Sequence, residues 1–293
     1  MQQQTLRSPC LIHGIGLHSG KDASISLLPA PVDTGIVFRV NTGKRQVKIP
    51  ARREFVTSTV LNTGLGCDEV AIGTVEHLLA ALAGLEVDNA VILTHGEEIP
   101  AMDGSAQPFV ARILEVGQQM QAAPRRFLKI LRPVEVTDGD KFARLAPSKV
   151  PVFSATVEFP HPVVGTQSFK VEVTPEAFVG ELAAARTFGF EEELQALHAR
   201  GLALGAGLQN AVGLGRDGTV LNEDGLRYPD EFVRHKILDA IGDMSLTGFP
   251  ILAEYQGYKS GHTLHLKLLQ ALADQRDHWE IVPEKGLREA RAG

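Results

Sequence analysis

The order of secondary structure that the sequence predicts occurs twice along the chain, and this repeat limits the fold more than any other feature. Apolar periodicity and the Gly, Pro and Asp turn signals predict strands, a helix, a short strand and a second helix in each half. His77 lies 27 residues before Gly104, and His235 lies 26 residues before Gly261. Because residue identity between the halves is poor, the repeat is architectural, and it predicts two similar α+β domains.

The first domain is predicted to span residues 1–122 and the second residues 127–282, joined by the polar, Pro-containing stretch 122–126. In the first half the predicted strands are 23–28, 35–40, 59–62 and 90–93, and the predicted helices are 74–84 and 105–116. In the second half the predicted strands are 128–136, 142–145, 153–159, 169–173 and 251–255, and the predicted helices are 229–246 and 262–273. We expect Thr74 to cap its helix at the N-terminus and Gly84 to lie just beyond the C-terminus.

An extra segment, residues 186–218, interrupts the repeat in the second half. It begins with FGF at 188–190, continues as a helix-like stretch at 191–200, and ends in a Gly-rich stretch that carries several leucines. Segments inserted into a regular scaffold commonly carry substrate recognition. At the end of the chain, we expect the charged tail from Pro283 onward to be frayed.

The charge balance and the apolar pattern exclude several classes of protein. Lys and Arg total 29 against 35 Asp and Glu, so the net charge of −6 predicts no general attraction to nucleic acid. The chain starts without the apolar core of a signal peptide, and its richest apolar stretch, residues 75–85, is too short to cross a bilayer. We therefore expect a cytoplasmic protein without a transmembrane segment, in which Cys10 and Cys67 stay reduced.

His235 and Asp239 are the first residues that point to chemistry. They are four positions apart on a predicted helix, so both side chains leave the same face. An imidazole and a carboxylate that converge in this way can supply two ligands to zinc. For the spacing alone, a His–Asp pair on the helix surface is the more common interpretation. Asp243 extends the stripe by one more turn, and three ionisable groups on a packed face would be costly unless they are paired or bind a metal.

Glu76 and His77 open the equivalent helix in the first half. Adjacent helical residues point about 100° apart, so His77 could bind a metal while Glu76 reaches a metal-bound water from the side. His262 lies in a Gly-flanked turn, where a side chain can be held at a site. Taken singly, a glutamate at a helix start and a lone histidine are more often structural, so the metal hypothesis depends on the combination.

Eight sequence blocks together resemble one known family, the zinc-dependent UDP-3-O-acyl-N-acetylglucosamine deacetylases. They occur in the family's order from near the N-terminus to about residue 270. The blocks are GIGLHSG (14–20), TVEHL (74–78), MDGS (102–105), ARTFGF (185–190), LNEDG (221–225), FVRHK (232–236), DAIGD (239–243) and YKSGH (258–262). The resemblance implies two βα sandwiches whose helical layers pack face to face, with an insert in each half.

The resemblance also implies a metal centre. Carried onto matching positions, it assigns His77, His235 and Asp239 as ligands of one catalytic Zn²⁺, with water in the fourth position. It assigns Glu76 as the general base that accepts a proton as the water oxygen attacks the acetyl carbonyl.

Four further roles follow from the same resemblance. His262 would be an electrophilic or general-acid group held by Asp243, Thr187 an oxyanion contact, and Lys236 a neighbour of the substrate. Zinc, the Thr187 hydroxyl and a protonated His262 would then stabilise the tetrahedral oxyanion. Either Glu76 or His262 could deliver the proton to the leaving amine.

The substrate that the family implies is a UDP-sugar with a long 3-O-acyl chain, which needs an apolar passage and a cationic rim. For the passage the segment 186–218 offers Phe188, Phe190, Leu194, Leu197, Leu202 and Leu208. The alternative for these residues is an ordinary small helix that buries its apolar stripe. For polar or phosphate contacts the chain offers Lys236, Lys259 and Arg186.

Two other classes of protein compete with this hypothesis. A zinc peptidase would also use glutamate and histidines, but the chain contains no HExxH. A related zinc N-acyl hydrolase or an inactive sugar-nucleotide binder is the remaining alternative, although an inactive relative should have lost Glu76 or a ligand. We expect a monomer with no nucleic-acid partner, and the sequence leaves the acyl-chain length open.

Overall fold

A computed structural model describes residues 1–43 and 45–283 of the chain. Pro283 ends the last described strand, so the rest of the predicted tail lies outside the described residues. Helices and sheets of both halves form a mixed structure, which confirms the predicted α+β class.

The N-terminal half is built around a five-stranded sheet. The strands of this half are β1 Gln2–Leu6, β2 Cys10–Ile15, β3 Asp22–Pro29, β4 Ile36–Asn41, β5 Gln46–Pro50, β6 Val56–Ser58, β7 Gly64–Cys67, β8 Val70–Ile72, β9 Ala90–His95 and β10 Gln118–Pro124. Its helices are α1 Glu76–Gly84 and α2 Gln107–Val116. The sheet has the order β2-β3-β9-β4-β5, while β6, β7 and β8 form a separate small sheet and β1 pairs with β10.

In β3 the buried Ala23, Ile25 and Leu27 alternate with less buried residues. Because successive strand residues point to opposite faces, this pattern turns one face of the sheet toward the core.

The C-terminal half has a larger sheet. The strands of this half are β11 Arg126–Ile130, β12 Val134–Asp138, β13 Lys141–Pro147, β14 Val152–Glu158, β15 Thr166–Glu172, β16 Phe188–Phe190, β17 Val212–Leu214, β18 Ile251–Tyr258 and β19 Trp279–Pro283. Its helices are α3 Pro175–Ala177, α4 Glu191–Ala199, α5 Glu231–Met244 and α6 His262–Asp274. The main path is β12-β13-β18-β11-β19, and β14 pairs with both β18 and β15.

Helices α1 and α5 join the two halves. Helix α5 packs on β14, β15 and α6, whereas α1 packs on α2 and across the molecule on α5. Almost every residue of α1 is buried, as expected for a helix in the centre of a core. A Cβ at Gly242 would overlap the carbonyl oxygen of Glu76, so the glycine allows the two helices to approach closely.

Two strand predictions were wrong. Residues 59–62 form a loop after β6, in which Leu61 has a φ of 62° that a strand cannot accommodate. The strand predicted at 128–136 is two strands, β11 and β12, separated by a turn that contains Pro133, which has no N–H for a ladder.

The predicted helix caps also need correction. Thr74 does not cap α1: it has a φ of 58°, and Val75 is the N-cap residue. Gly84 is the last helical residue and does not follow the helix. The end of β10 and the start of β11 lie within the predicted joint 122–126.

Candidate metal centre and active site

The start of α1 and one face of α5 bring three potential metal ligands together in the core. The Nε2 atoms of His77 and His235 each lie 3.4 Å from Oδ1 of Asp239. One ligand atom from each residue lies within 4.8 Å of the other two, and all three side chains are buried. The structure therefore places the two histidines and the aspartate as close together as one shared ion would require.

Neighbouring groups orient these side chains toward a common point. Nδ1 of His235 donates to the Ala185 carbonyl at 3.0 Å, which leaves the Nε2 lone pair free. Burial lowers the pKa of His235 to about 3, which keeps the imidazole neutral, as a ligand must be. Lys236 Nζ donates to Oδ2 of Asp239 at 2.9 Å.

The surroundings of Asp239 Oδ1 indicate whether these residues fit a metal. Oδ1 is buried and has no hydrogen-bond partner among the described residues. An unpaired buried carboxylate oxygen is costly, and a cation between it and the two imidazoles would remove that cost. Two imidazole nitrogens and one carboxylate oxygen are a known ligand set for catalytic zinc, so the residues fit this group.

Glu76 lies beside the ligands at the first position of α1. Its side chain is buried, and Oε2 accepts a hydrogen bond from the Thr63 N–H at 3.0 Å. Burial raises the pKa of Glu76 above its ordinary value. A carboxylate whose pKa is raised toward neutrality is better suited to accept a proton.

A second hydrogen-bonded group, centred on Asp243, lies next to the ligands. Oδ2 of Asp243 accepts from Nδ1 of both His262 and His265, each at 2.7 Å, and Oδ1 accepts from Thr63 Oγ1 at 2.6 Å. Potential ligand atoms of Asp243, His262 and His265 also lie within 4.8 Å of one another. Nδ1 of both histidines and both oxygens of Asp243 already take part in hydrogen bonds, so we interpret the group as a support for His262.

The geometry directs the other nitrogen of His262 toward the ligands. Its Nε2 lies 4.0 Å from Oδ2 of Asp239. Burial alone would lower the pKa of His262, but the Asp243 carboxylate outweighs burial and raises it to about 9. His262 is therefore protonated at neutral pH and presents an N–H donor.

Two of the predicted site residues, Phe188 and Lys236, lie near the ligands. The Phe188 and His235 ring centroids are 6.4 Å apart, and the Lys236 ammonium lies 5.5 Å from the Phe188 ring. Thr187 follows two residues after Ala185, and its N–H donates to the Gly104 carbonyl at 2.8 Å. Their roles toward a substrate stay predictions.

Arg186 and Lys259, predicted to make polar or phosphate contacts, are engaged in ion pairs. Arg186 is buried, and its guanidinium bonds both oxygens of Glu231, with Nε–Oε1 at 2.9 Å. The Lys259 ammonium lies 2.8 Å from Asp140 and 3.0 Å from Glu158. We therefore interpret Arg186 as a structural cation that anchors the start of the segment 186–218 on α5.

The apolar residues expected to line a passage differ in exposure. Phe190 packs against Phe159, with ring centroids 5.6 Å apart. Leu194 and Leu208 are 37% and 49% exposed, and Leu197 and Leu202 are half-buried. No residue of helix α4, as described, is fully buried, whereas Phe188 and Phe190, which precede it, pack against the core.

Thr63 and His265 belong to the site but were not predicted from the sequence. His265 lies three residues after His262 on α6, a spacing that puts both on one helix face, and this signal could have revealed it. Thr63 directly follows residues 59–62, which were predicted as a strand, and no local pattern marks it.

Facing helical layers that hold a buried His₂Asp group beside a glutamate define a metal-dependent hydrolase of α+β fold. The model of the UDP-3-O-acyl N-acetylglycosamine deacetylase family matches residues 3–274. The chain therefore belongs to this family, whose members hydrolyse an amide.

Named relatives agree with this membership. The UDP-3-O-acyl-N-acetylglucosamine deacetylase of Stenotrophomonas maltophilia (strain K279a) is 47% identical over 284 residues, which is 96% of this chain and 93% of the relative. A protein of the same name from Shewanella violacea is 46% identical over 291 residues, covering 98% of this chain and 95% of the relative. Another, from Xanthomonas axonopodis pv. citri, is 47% identical over 283 residues, covering 96% and 93%. Within residues 1–43 and 45–283, no helix combines the length and apolar character needed to cross a bilayer.

Proposed function

We propose that this chain removes the N-acetyl group of UDP-3-O-acyl-N-acetylglucosamine, giving acetate and UDP-3-O-acyl-glucosamine, the committed step of lipid A biosynthesis. The observation that carries the proposal is the buried Oδ1 of Asp239, in a chain of this family: it lies between two imidazoles and has no hydrogen-bond partner among the described residues.

We assign Zn²⁺ as the metal, held by His77, His235 and Asp239. When bound, Zn²⁺ supplies Lewis-acid chemistry, because it lowers the pKa of water toward 7 and polarises a carbonyl. The neutral imidazole of His235, fixed by the Ala185 carbonyl, supports this assignment. Lys236 neutralises the second oxygen of Asp239 and so keeps the carboxylate in place.

Glu76 acts as the general base in this proposal. The Thr63 N–H holds Oε2, which fixes the carboxylate in a single orientation. Its raised pKa helps it to accept the proton that water loses on attack at the acetyl carbon. Asp243 keeps His262 protonated, so its Nε2–H first donates a hydrogen bond to the developing oxyanion. The same proton is afterwards transferred from Nε2 to the leaving amine. The Thr187 hydroxyl is the further oxyanion donor.

The segment 186–218 receives the 3-O-acyl chain, with Phe188 and the exposed leucines as the apolar surface.

We also propose that residues 1–122 and 127–282 are two domains, since each half has its own main sheet and contributes one helix to the central pair α1–α5. Lys236 and Lys259 remain the proposed contacts to the polar part of the substrate.

Metal analysis and a deacetylation assay on the purified chain test the proposal. We expect about one tightly held zinc per chain and release of acetate from the UDP-sugar. His77→Ala and Asp239→Ala should each lose most of the zinc and the activity, whereas His95→Ala, an exposed histidine on β9, should keep both. Stoichiometric zinc in His77→Ala combined with His235→Ala would end the ligand assignment.

A further inference from the structure

Glu98 is a buried carboxylate that the proposed mechanism does not use. It lies between β9 and α2 and is 5% exposed. Oε1 accepts from the His18 N–H at 2.9 Å and from Thr74 Oγ1 at 2.7 Å. Oε2 accepts from the Ser19 N–H at 2.9 Å and from Ser19 Oγ at 2.8 Å. One side chain therefore satisfies four donors from two separate segments.

These hydrogen bonds keep Glu98 charged in the protein interior. Burial alone would raise the pKa of Glu98, but the donors from His18, Ser19 and Thr74 outweigh it and hold the pKa below its ordinary value. A buried charge with this many donors is strongly tied to its surroundings, and removal of the acceptor would leave backbone N–H groups unpaired.

The loop 16–20 is shaped around this carboxylate. The Gly20 N–H donates to the Gly16 carbonyl at 3.0 Å and closes the loop. A Cβ at Gly16 would overlap Oε2 of Glu98, so only glycine lets the carboxylate approach the backbone there.

The same loop is bound to the segment 186–218 by main-chain hydrogen bonds. The N–H of Leu204 donates to the His18 carbonyl, and the N–H of Gly205 donates to the Leu17 carbonyl, each at 3.0 Å. The N–H of Ala203 donates to Nδ1 of His18 at 3.3 Å. A Cβ at Gly205 would overlap the Gly16 carbonyl oxygen, so the two backbones are in direct contact.

On its other side Glu98 is tied to the approach to α1. Thr74 lies two residues before Glu76, has a positive φ of 58°, and donates its hydroxyl hydrogen to Oε1 of Glu98. The carboxylate thus connects the segment that leads to the metal ligands with the loop that receives residues 203–205.

We propose that Glu98 is a positioning residue for acyl-chain selectivity: it holds the loop 16–20 in the shape that docks residues 203–205. Leu202, Leu204 and Leu208 flank this docking point, so the loop sets where their side chains stand. The inference rests on the proposed function of the segment 186–218 as the acyl site.

The test compares Glu98→Gln with Glu97→Gln. Glutamine keeps the shape but replaces one acceptor oxygen by an NH₂ group, whereas the neighbouring Glu97 is exposed and pairs with the exposed Lys21. In Glu98→Gln we expect kcat/KM for a long-chain substrate to fall about tenfold, and for a short-chain substrate about twofold or less. Zinc content should not change, and Glu97→Gln should behave like the wild type.

Amide hydrogen exchange supplies a readout that does not depend on turnover. In Glu98→Gln the amides of His18, Ser19, Leu204 and Gly205 should exchange faster, while those of α5 keep their protection. Faster exchange in the loop alone, with residues 204 and 205 unchanged, would overturn the proposal. An unchanged ratio of long-chain to short-chain kcat/KM would also overturn it.

Gly205→Ala changes the contact between the loop 16–20 and residues 203–205 on the side of the segment 186–218. It tests the proposal even if Glu98→Gln does not fold. Its Cβ should push residues 203–205 off the loop and reduce the long-chain preference by a similar factor, and retained preference would contradict the docking role. A wild type without any chain-length preference would instead refute the acyl site, which is a separate failure from an unaltered preference in the variants.

Discussion

The helix pair α1–α5 and the segment 186–218 differ in how they are held. In α5 most side chains are buried, and Gly242 contacts the backbone of α1 directly. In α4 no side chain of the described helix is buried, and Leu194 and Leu208 are exposed to solvent. The proposed ligands thus lie on closely packed, buried helices, whereas the proposed acyl surface lies on an exposed segment whose side chains have room to move.

This difference corresponds to two demands of the reaction. Metal ligands and a general base must be held to within a fraction of an ångström, which a close-packed core provides. A flexible acyl chain needs apolar area more than exact geometry, and a lightly packed segment supplies it. Substitutions in the two regions should therefore change different kinetic quantities.

The largest effect is expected at Glu76, inside the helix pair. Glu76→Gln keeps the shape and can still accept from the Thr63 N–H, but it cannot take a proton. Turnover should fall by about two to four orders of magnitude while zinc and fold are retained. Glu115→Gln, on the exposed face of α2, is the matched control. Near-normal turnover at pH 7 would show that another group accepts the proton.

A smaller effect is expected from Gly242→Ala, which tests whether close helix contact matters. Alanine favours a helix by about 1 kcal/mol over glycine, so an uncrowded site would be stabilised. Here the methyl group meets the Glu76 carbonyl, and we expect a net loss of about 1–3 kcal/mol in the free energy of unfolding.

Denaturant unfolding of Gly242→Ala beside Gly180→Ala measures this loss. A Cβ at Gly180 would have no neighbour within 4 Å among the described atoms, so that variant should be as stable as the wild type or more stable by up to about 1 kcal/mol. Turnover of Gly242→Ala should fall as well, since α1 carries Glu76 and His77. Higher stability with full activity would mean that the helices separate without consequence.

Sequence patterns predicted the centre of the molecule better than its edges. The helices α1, α2, α5 and α6 and the strand β9 follow from strong apolar periodicity, and the site residues on α5 follow from helical spacing. The short, polar strands β1 and β10 were missed, because they pair with each other across a long sequence separation, and this pairing supplies the order that local propensity lacks. Strand β5 was also missed, although it pairs with the preceding strand β4.

Contacts between the halves could not be predicted from either half alone. The bond from Thr63 to Asp243 joins residues 180 positions apart, and neither lies in a pattern that indicates the other. Arg186 was predicted to make polar or phosphate contacts, because the substrate that the family implies needs a cationic rim. Only the fold reveals that Glu231 occupies its guanidinium.

The smallest effect is expected in the segment 186–218, where Leu194 is assigned to the acyl chain and not to the metal. If this surface holds the chain, each methylene that is no longer buried should weaken transition-state binding by up to about 0.8 kcal/mol. A truncated substrate should then turn over poorly although its acetamide is unchanged. Leu194→Glu should remove most of the long-chain preference, because a carboxylate on the apolar surface disfavours the chain, and should leave the zinc content intact.

The decisive measurement for Leu194 is kcat/KM for long-chain and short-chain substrates in both proteins. Leu114→Glu is the matched control, since Leu114 is a similarly exposed leucine on α2, 51% exposed, outside the proposed passage. Its chain-length preference should equal that of the wild type. Equal preference in Leu194→Glu would remove Leu194 from the passage, because a new charge within reach of the chain must lower its binding. If the wild type itself shows no preference, the segment does not hold the acyl chain, and its exposed leucines need another explanation.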